Sequence, residues 1–352
     1  MHMADALLSP VTGTVMWTGS LVVLGYSSKT LKENIDNKTI PLMGVLGAFI
    51  FAAQMINFTI PGTGSSGHLG GGMILAILLG PHAAFLVIAS VLSAQALFFA
   101  DGGLLALGCN IWNLGFYPCF LAYPLIYKPI AGSGRSSRRI LIASTASVIV
   151  ALQLGAFSVV IETLLSGKSE LPFDAFVLLM QPIHLAIGLV EGFVTAGVIS
   201  YVKSARPEIL ESHNASAPLD AGISIKRVLI GFAVLTVIIG GALSWFASTY
   251  PDGLEWSIEK ITGQEELSET ETGIGRFLKG IQEKTAFMPD YGFKTEPGEE
   301  QAREKPDSWP GIDAGTSTAG VIGSTIVFGT VLLIGIGIRL FKGRRSSLGH
   351  RP

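Results

Sequence analysis

The chain has little charge and little cysteine for its length. Of its 352 residues 14% are charged and 49% are hydrophobic, whereas soluble domains are about 25% charged. Apolar runs of about 20 residues, the length of a bilayer-spanning helix, recur along it. These features exclude a soluble globular protein and predict a polytopic membrane protein. The two cysteines, Cys109 and Cys119, lie in one apolar segment, where we expect buried packing residues rather than a disulfide or a zinc site.

Two further motifs are lacking. No Lys or Arg precedes Lys29, and Asp5 stands where a signal peptide would carry positive charge, so the start is not an ordinary signal peptide. The Gly-Lys-Ser at 167–169 has Glu162 where a phosphate-binding loop needs its first glycine. We therefore expect no ATP hydrolysis by this chain. It is a secondary carrier or channel, or one part of a pump whose motor lies in other subunits. The net charge of −2 says nothing about nucleic acid, because the charges lie in loops; we expect no nucleic-acid partner.

The first candidate metal ligands lie at the N-terminus. The bulky His2 disfavours removal of Met1, whose α-amine is free once any formyl group is removed. That amine, the His2 amide nitrogen and the His2 imidazole can close two fused chelate rings on one metal ion. Planar nitrogen fields favour Ni(II) or Cu(II). His68, at the end of the polar stretch 62–68, is the candidate fourth nitrogen. A histidine at position 2 taken alone is more often an accident of sequence.

Hydropathy and charge together predict the topology. The candidate crossings, the third of them short and broken at Gly80-Pro81, are 11–27, 41–58, 70–80, 82–100, 103–127, 139–163, 184–203, 225–248 and 318–341. Lys and Arg concentrate in the loops at 28–40, 128–139 and 203–227 and in the tail after 338. By the positive-inside rule these loops are cytoplasmic. Met1 and the 59–69 loop with His68 then lie on the external side together. We expect a location in the inner or plasma membrane, with the N-terminus outside and the C-terminus cytoplasmic.

The segment at 249–317 is long, polar and rich in glutamate. Long loops cross the membrane regardless of charge, so its cations do not disturb the predicted topology. It is either a lobe that attracts metal or contacts a partner, or a solvated and partly disordered linker. Composition favours the linker.

Polar residues inside the predicted spans are costly and are therefore functional candidates. His184 and Glu191 share one helical face, either as groups that support the metal site or as a polar lock between helices. For His184 the equal alternative is a helix cap near the interface. Asn110 and Asn113 favour interhelical hydrogen bonds over metal binding. Asp101, which precedes two glycines, is expected to cap a turn.

The chain resembles a known family at these residues. The start Met1-His2-Met3-Ala4-Asp5-Ala6-Leu7-Leu8-Ser9-Pro10 is similar to that of the cobalt/nickel substrate-binding subunits of energy-coupling factor (ECF) transporters, the CbiM/NikM family. The resemblance covers about residues 1–203, and its other motifs are Ser66-Gly67-His68-Leu69-Gly70-Gly71, Leu78-Leu79-Gly80-Pro81, Asp101-Gly102-Gly103-Leu104-Leu105-Ala106-Leu107-Gly108, His184-Leu185-Ala186-Ile187-Gly188 and Glu191-Gly192. Further on, Pro251-Asp252-Gly253-Leu254-Glu255 resembles the small PDGLE (CbiN/NikN-like) accessory module. Met3 and Ala6 depart from the family's usual Ile and Gly.

The resemblance implies a fold, a site and partners. The fold is an all-α polytopic membrane protein, with a seven-helix S-component-like core and two further transmembrane helices flanking an extracytoplasmic loop. The ligands are the Met1 amine, the amide and imidazole nitrogens of His2, and His68. Ni²⁺ or Co²⁺ is the transported substrate, and no cofactor is expected. The partners are a transmembrane coupling (T) subunit and two cytoplasmic ATPases.

Residue patterns and resemblance together divide the chain. We predict a metal-binding membrane domain at 1–203, a cytoplasmic linker at 204–224, the accessory module at 225–341 and a basic tail at 342–352. Three function classes remain: the capture subunit of an ATP-driven importer, a self-sufficient secondary carrier or channel, and an intramembrane metalloenzyme. The first is favoured. The third lacks a His-Glu-x-x-His motif. The sequence does not distinguish Ni(II) from Co(II).

Overall fold

The computed structural model of the chain describes residues 2–35, 38–133, 136–168, 171–214, 225–265, 267, 273–294 and 310–348. The described chain is almost entirely helical. Its helices are α1 (Pro10–Asn34), α2 (Thr39–Gln54), α3 (Gly72–Leu79), α4 (Pro81–Phe98), α5 (Leu107–Ile111), a π-helical continuation (Trp112–Tyr127), α6 (Lys128–Ala131), α7 (Ser137–Ser166), α8 (Phe173–Ala205), α9 (Pro207–Asn214), α10 (Lys226–Gly241), α11 (Gly253–Thr262), α12 (Gly273–Thr285) and α13 (Ala314–Leu348). A hairpin of β1 (Phe58–Ile60) and β2 (Ser65–Gly67) joins α2 to α3. Short 3₁₀ turns lie at Asp5–Leu7, Leu243–Phe246 and Pro289–Tyr291.

The predicted all-α polytopic class is confirmed. Within the described residues, four helices are long and apolar enough to cross a membrane: α4, α7, α8 and Ala314–Leu340 of α13. α2 is a shorter apolar helix. Several large side chains on these helices, such as Leu178, Phe193 and Leu333, are well exposed, as a surface facing lipid requires. The number of crossings and their orientation stay predictions.

The break at Gly80-Pro81 is confirmed, and its cause is local. Gly80 ends α3 with φ of +76° and ψ of 164°, a conformation that glycine adopts at little steric cost. Pro81 then starts α4 at a position where its missing N–H costs nothing. Residues 65–68, which include β2 and precede α3, are buried within the protein.

Close helix packing holds the first part together. Gly188 and Gly192 of α8 face α7, and a Cβ added at these positions would lie 3.1 Å from Ile149 Cα and 2.6 Å from Thr145 Cα. Small residues therefore let the two long helices approach closely. α13 packs along α2, where the Ser324 hydroxyl donates to the carbonyl of Ala48 at 3.2 Å. The C-terminal helices are thus part of the bundle.

The segment at 249–317 differs from its prediction. Among its described residues, α11 begins with a capping box in which Asp252 and Glu255 bond each other's backbone N–H groups. Leu254, Ile258 and Met288 are buried. The prediction of a solvated, partly disordered linker is wrong for residues 249–265 and 273–294, because caps and buried apolar residues order them. Composition does not register such local features.

We call the end of the bundle that carries residues 2–9, the β1–β2 hairpin and residues 249–265 and 273–294 the site face. On this face the segment after Tyr250 folds over the hairpin. The backbone N–H of Ser66 donates to Pro251 O at 2.8 Å, and the Trp256 indole donates to Thr63 O at 3.1 Å. α12 reaches α4, since the Gln282 amide donates to the carbonyls of Ala96 and Gly102 at 2.9 and 2.8 Å.

Candidate metal site

The N-terminal segment is anchored inside the site face. The backbone N–H of Met3 donates to Oδ1 of Asn110 at 2.8 Å, and Nδ2 of Asn110 donates back to Met3 O at 3.3 Å. The N–H of Gly103 also donates to Met3 O, at 3.0 Å. Met3 itself is fully buried. These bonds hold the peptide groups on both sides of Met3, including the one that joins His2 to Met3, and thereby limit where His2 can lie.

His2 and His68 lie together. Their rings stack with centroids 5.0 Å apart and an interplanar angle of 13°, and each side chain is 8% exposed. Nδ1 of His68 lies 3.1 Å from Leu69 O. If the ring is neutral, its Nδ1–H donates this bond and Nε2 carries the lone pair. Burial, with the nearby His2 adding to it, lowers the pKa of His68 to about 3, so the neutral ring is the form present at physiological pH.

The predicted ligand set includes Met1, which lies outside the described residues. Within the described residues, no group of three His, Cys, Asp or Glu side chains is placed to hold a metal ion. The predicted set does not need such a group, because two of its nitrogens come from the backbone and only two from side chains. The structure brings His2 and His68 together and leaves the ligand assignment as a prediction.

Asp101 is not the turn cap expected from the sequence. Its Oδ1 lies 2.9 Å from Nδ1 of His2, and its Oδ2 accepts a hydrogen bond of 2.5 Å from the Tyr291 hydroxyl. Burial alone would raise the pKa of Asp101, but the contacts with His2 and Tyr291 hold it below the usual range. Asp101 is therefore a carboxylate that joins the N-terminal histidine to the C-terminal part of the chain.

The backbone around this contact is strained. Ala100, Asp290 and Tyr291 are non-glycine residues with φ of 56°, 48° and 58°, in the left-handed region that side chains disfavour. The N–H of Asp290 donates to Phe99 O at 2.9 Å, and the Tyr291 ring stacks on Phe99 with centroids 5.1 Å apart. Strain of this kind persists where surrounding contacts enforce it, often at switch regions.

A second contact joins the C-terminal part to the candidate ligands. Oδ2 of Asp252 lies 3.9 Å from Nε2 of His68, which is too far for a direct hydrogen bond. Next to it, a cavity of about 410 Å³ is lined by both parts of the chain, including His2, Asp101, Asp252 and Glu255. Burial and the neighbouring Asp252 raise the pKa of Glu255 to about 7.

The intramembrane candidates separate into two roles. Glu191 accepts hydrogen bonds of 2.8 Å from the backbone N–H groups of Gly70 and Gly71, so it ties α8 to the loop that follows His68. His184 is not a helix cap, because α8 begins at Phe173. It is buried and lines a small cavity shared with His68.

The asparagine predictions are partly correct. Asn113 donates to Oε2 of Glu162 on α7 at 2.9 Å, the interhelical bond that was expected. Asn110 instead binds the Met3 backbone, because the N-terminal segment folds back against the turn at 101–106. Glu162 was missed as a partner, although a carboxylate inside an apolar run is a recognisable signal. Cys109 and Cys119 are buried free thiols, as predicted.

We expect Asn110→Ala to weaken binding of Ni²⁺ by about ten- to a hundredfold, the usual cost of losing a group that orients a metal ligand. The change removes both side-chain bonds to Met3 and lets the His2–Met3 peptide move. Isothermal titration of the purified full chain measures the affinity. Asn113→Ala is the matched comparison, since it lies one turn away, donates to Glu162, and contacts Met3 only at the side-chain sulfur, at 3.9 Å, so the Met3 backbone bonds are kept. Equal affinities of Asn110→Ala and the parent would contradict this role.

The fold and the site together define a class. The chain is a multi-pass membrane protein in which two stacked histidines lie beneath the segment that follows Tyr250. The family CbiM, described as the cobalt uptake substrate-specific transmembrane region, matches residues 2–209, and the PDGLE domain matches residues 226–340. The chain belongs to the CbiM family. It is a metal-transport membrane protein.

Individual relatives agree with this membership. A chain of Archaeoglobus fulgidus, provisionally named a fused nickel transport protein NikMN, is 32% identical over 99% of this chain and 100% of its own length. The fused nickel transport protein NikMN of Rhodobacter capsulatus is 30% identical over 83% of this chain and 88% of its own. A crystal structure of a transition metal transporter, 32% identical, superimposes with a TM-score of 0.52 over 60% of this chain and 97% of that one.

Proposed function

We propose that this chain is the substrate-capture subunit of an ATP-driven ECF-type importer of Ni²⁺ or Co²⁺. It binds the ion on the external side of the membrane, in a near-planar nitrogen site. The ligands are the Met1 amine, the amide nitrogen and imidazole of His2, and the imidazole of His68. The observation that carries the proposal is the stacking of the buried His2 and His68 rings at 5.0 Å. Uncharged imidazole is the form that binds metal.

Partner subunits supply the energy in this proposal. The sequence has no phosphate-binding loop, so a coupling subunit and two cytoplasmic ATPases hydrolyse ATP. The alternative is a secondary carrier that transports alone. Relatives named as fused nickel transport proteins support the assignment of Ni²⁺ as a substrate.

Reconstitution in liposomes separates these two mechanisms. We expect the full chain alone to bind Ni²⁺ or Co²⁺ without carrying it into the lumen. Uptake then requires an ECF coupling subunit, its two ATPases and ATP. An ATPase variant unable to hydrolyse ATP is the control. Uptake by the chain alone, along an ion or proton gradient, would overturn the importer assignment in favour of the carrier.

The accessory module, in this proposal, acts on the ligands without supplying one. Residues 251–310 contain neither His nor Cys, and carboxylates suit harder ions than Ni²⁺ or Co²⁺. The module reaches each histidine through one carboxylate. Asp252 lies 3.9 Å from His68, and Tyr291 donates to Asp101, which binds His2. These contacts give the module two points from which to open and close the site.

The contact between His2 and Asp101 uses the ring nitrogen that the proposed chelate needs. A chelate that uses the amide nitrogen of His2 closes its second ring through Nδ1, since only Cα, Cβ and Cγ separate those two nitrogens. Nδ1 is the nitrogen that faces Asp101 at 2.9 Å. The His2 ring must therefore leave Asp101 before it can bind a metal. By donating to Asp101, Tyr291 stabilises the state in which the His2 ring still contacts Asp101 and is not available to the metal.

We expect Tyr291→Phe to accelerate metal association with the full chain by about tenfold, because a hydrogen bond to a charged group contributes on the order of 1.5–3 kcal/mol. Loss of the hydroxyl loosens Asp101 and so releases His2 more readily. Stopped-flow mixing with Ni²⁺ measures the rate. Tyr250→Phe is the control, because its side chain is 51% exposed in the same module. An unchanged rate in a folded Tyr291→Phe chain would show that this contact does not restrain loading.

A further inference from the structure

A small cavity lies beside the candidate metal site. His68, His184, Asp252 and Gly253 are among the residues that line it. It leaves about 10 Å³ for the centre of a water molecule, which is roughly the space that one water needs. The module closes one side, since a Cβ added at Gly253 would lie 3.1 Å from Cε1 of His184.

His184 presents an unsatisfied nitrogen in this cavity wall. Its Nδ1 lies 2.8 Å from the carbonyl of Met180, one turn earlier in α8, so Nδ1–H donates and Nε2 carries the lone pair. The residue is 1% exposed. Nε2 has no hydrogen-bond partner among the residues that the structure describes. A buried acceptor in this state is costly and calls for a donor.

The surroundings indicate which donor fits. The other polar wall groups are the imidazole of His68 and the carboxylate of Asp252, and a carboxylate accepts hydrogen bonds without donating any. Oδ2 of Asp252 and Nε2 of His68 are 3.9 Å apart, beyond direct hydrogen-bond distance, so a water can bond to this edge of the cavity. Once Nε2 of His68 binds the ion, the two O–H groups of a water have two acceptors in this space, Nε2 of His184 and the Asp252 carboxylate, and stable burial of a water requires at least two polar partners.

We propose that this cavity holds a water molecule that donates a hydrogen bond to Nε2 of His184 and acts as an additional ligand of the transported ion. The oxygen lone pair of the water faces the ion, one O–H bonds His184, and the other is directed to the Asp252 carboxylate. The water stays intact, and no proton leaves it. The inference rests on the proposed nitrogen site, because His68 is shared by that site and by the cavity.

A water ligand at this position would affect the selectivity between Ni(II) and Co(II). Ni(II), a d⁸ ion, is well satisfied by four nitrogens in a plane and gains little from a fifth ligand. Co(II), a d⁷ ion, binds additional ligands more readily. Since selectivity among divalent ions is achieved by geometry rather than by raw affinity, a water held by His184 favours retention of Co(II). His184 is then a positioning residue that sets the ratio of cobalt to nickel affinity, and does not itself touch the ion.

The test compares His184→Leu and His184→Gln in the full chain, titrated separately with Ni²⁺ and Co²⁺. Leu has no acceptor for the water, and we expect Co²⁺ affinity to fall by about tenfold or more, as for other groups behind a metal ligand. Ni²⁺ affinity should change less than about twofold. Gln offers a side-chain oxygen as acceptor and should recover most of the Co²⁺ affinity. The visible spectrum of bound Co²⁺ should change in His184→Leu, reporting the lost ligand.

A second variant reaches the same cavity from the module. Gly253→Ala should place a methyl group against His184 and displace the water, so it should lower the cobalt to nickel ratio as His184→Leu does. Gly253→Ala provides the test if His184→Leu does not fold. An unchanged ratio in the folded variants, or an equal loss of both metals, would overturn the inference.

The results that would overturn the proposed nitrogen site differ from those that would overturn the water ligand. If the parent chain binds neither ion, or if blocking the Met1 amine leaves Ni²⁺ affinity unchanged, the site itself is wrong. If Ni²⁺ binding depends on that amine while the cobalt to nickel ratio does not depend on His184, only the assignment of the water ligand is wrong.

Discussion

Adding one residue before Met1 is expected to abolish high-affinity binding of Ni²⁺ and Co²⁺ by the full chain. The extension converts the proposed α-amine ligand into an amide and separates His2 from the terminus, so both fused chelate rings are lost. Removal of a direct ligand should exceed the ten- to a hundredfold cost of losing an orienting group. Equilibrium dialysis with each metal measures the affinity.

A cleavable extension supplies the control for this experiment. Proteolytic removal that regenerates Met1 as the first residue should restore binding, which separates loss of the amine from misfolding. Met3, Leu7 and Leu8 are buried, so the thermal stability of the extended chain should be compared with that of the parent. Equal metal affinity in a folded, extended chain would contradict the proposed chelate.

The second large effect is expected for His68→Ala. The variant keeps the three nitrogens of Met1 and His2, and water completes the plane in place of imidazole. We expect the affinity for Ni²⁺ to fall by about a hundredfold or more, because a direct ligand is lost. Free imidazole added to the solution should recover part of it. Isothermal titration of the variant, with and without imidazole, measures both effects.

His82→Ala is the matched control for His68. His82 lies at the start of α4, where its Nδ1 is 3.3 Å from the Ser27 hydroxyl. It is remote from the site face, since α4 ends there at Phe98, and its loss should leave Ni²⁺ affinity unchanged. Should His68→Ala bind as well as the parent while His184→Ala does not, the fourth ligand would have been assigned to the wrong histidine.

Much of the helical framework could be predicted from local sequence. Span length and hydropathy are properties of consecutive residues, and the break between α3 and α4 follows from two adjacent residues, Gly80 and Pro81. The position of His2 beside His68 agrees with the pattern that suggested them, whereas their role as ligands stays a prediction. The domain boundaries also remain predictions.

The contacts between the module and the histidines could not be predicted in the same way. Tyr291 and Asp101 are 190 residues apart, and no spacing rule connects them. Asp252 offered more, because an acidic residue three positions before Glu255 is a capping-box pattern that predicts the start of α11. What that pattern lacks is any indication that α11 begins next to His68. Such proximity depends on how the C-terminal helices pack against α2.

Glu162 and Asn110 show a different limit. Each was visible in the sequence as a polar residue within an apolar run. Their partners were not, because Asn110 binds a backbone segment that lies outside every predicted helix. An N-terminal segment that folds back into the bundle leaves no periodic signal.

The most direct test of the account is X-ray absorption on the full chain loaded with one equivalent of Ni²⁺. The proposed site predicts a first shell made of nitrogen, with two imidazole rings in the parent and one in His68→Ala. The planar geometry should give the corresponding edge feature of a square Ni(II) complex. A shell dominated by carboxylate oxygen, or an unchanged imidazole count in His68→Ala, would contradict it.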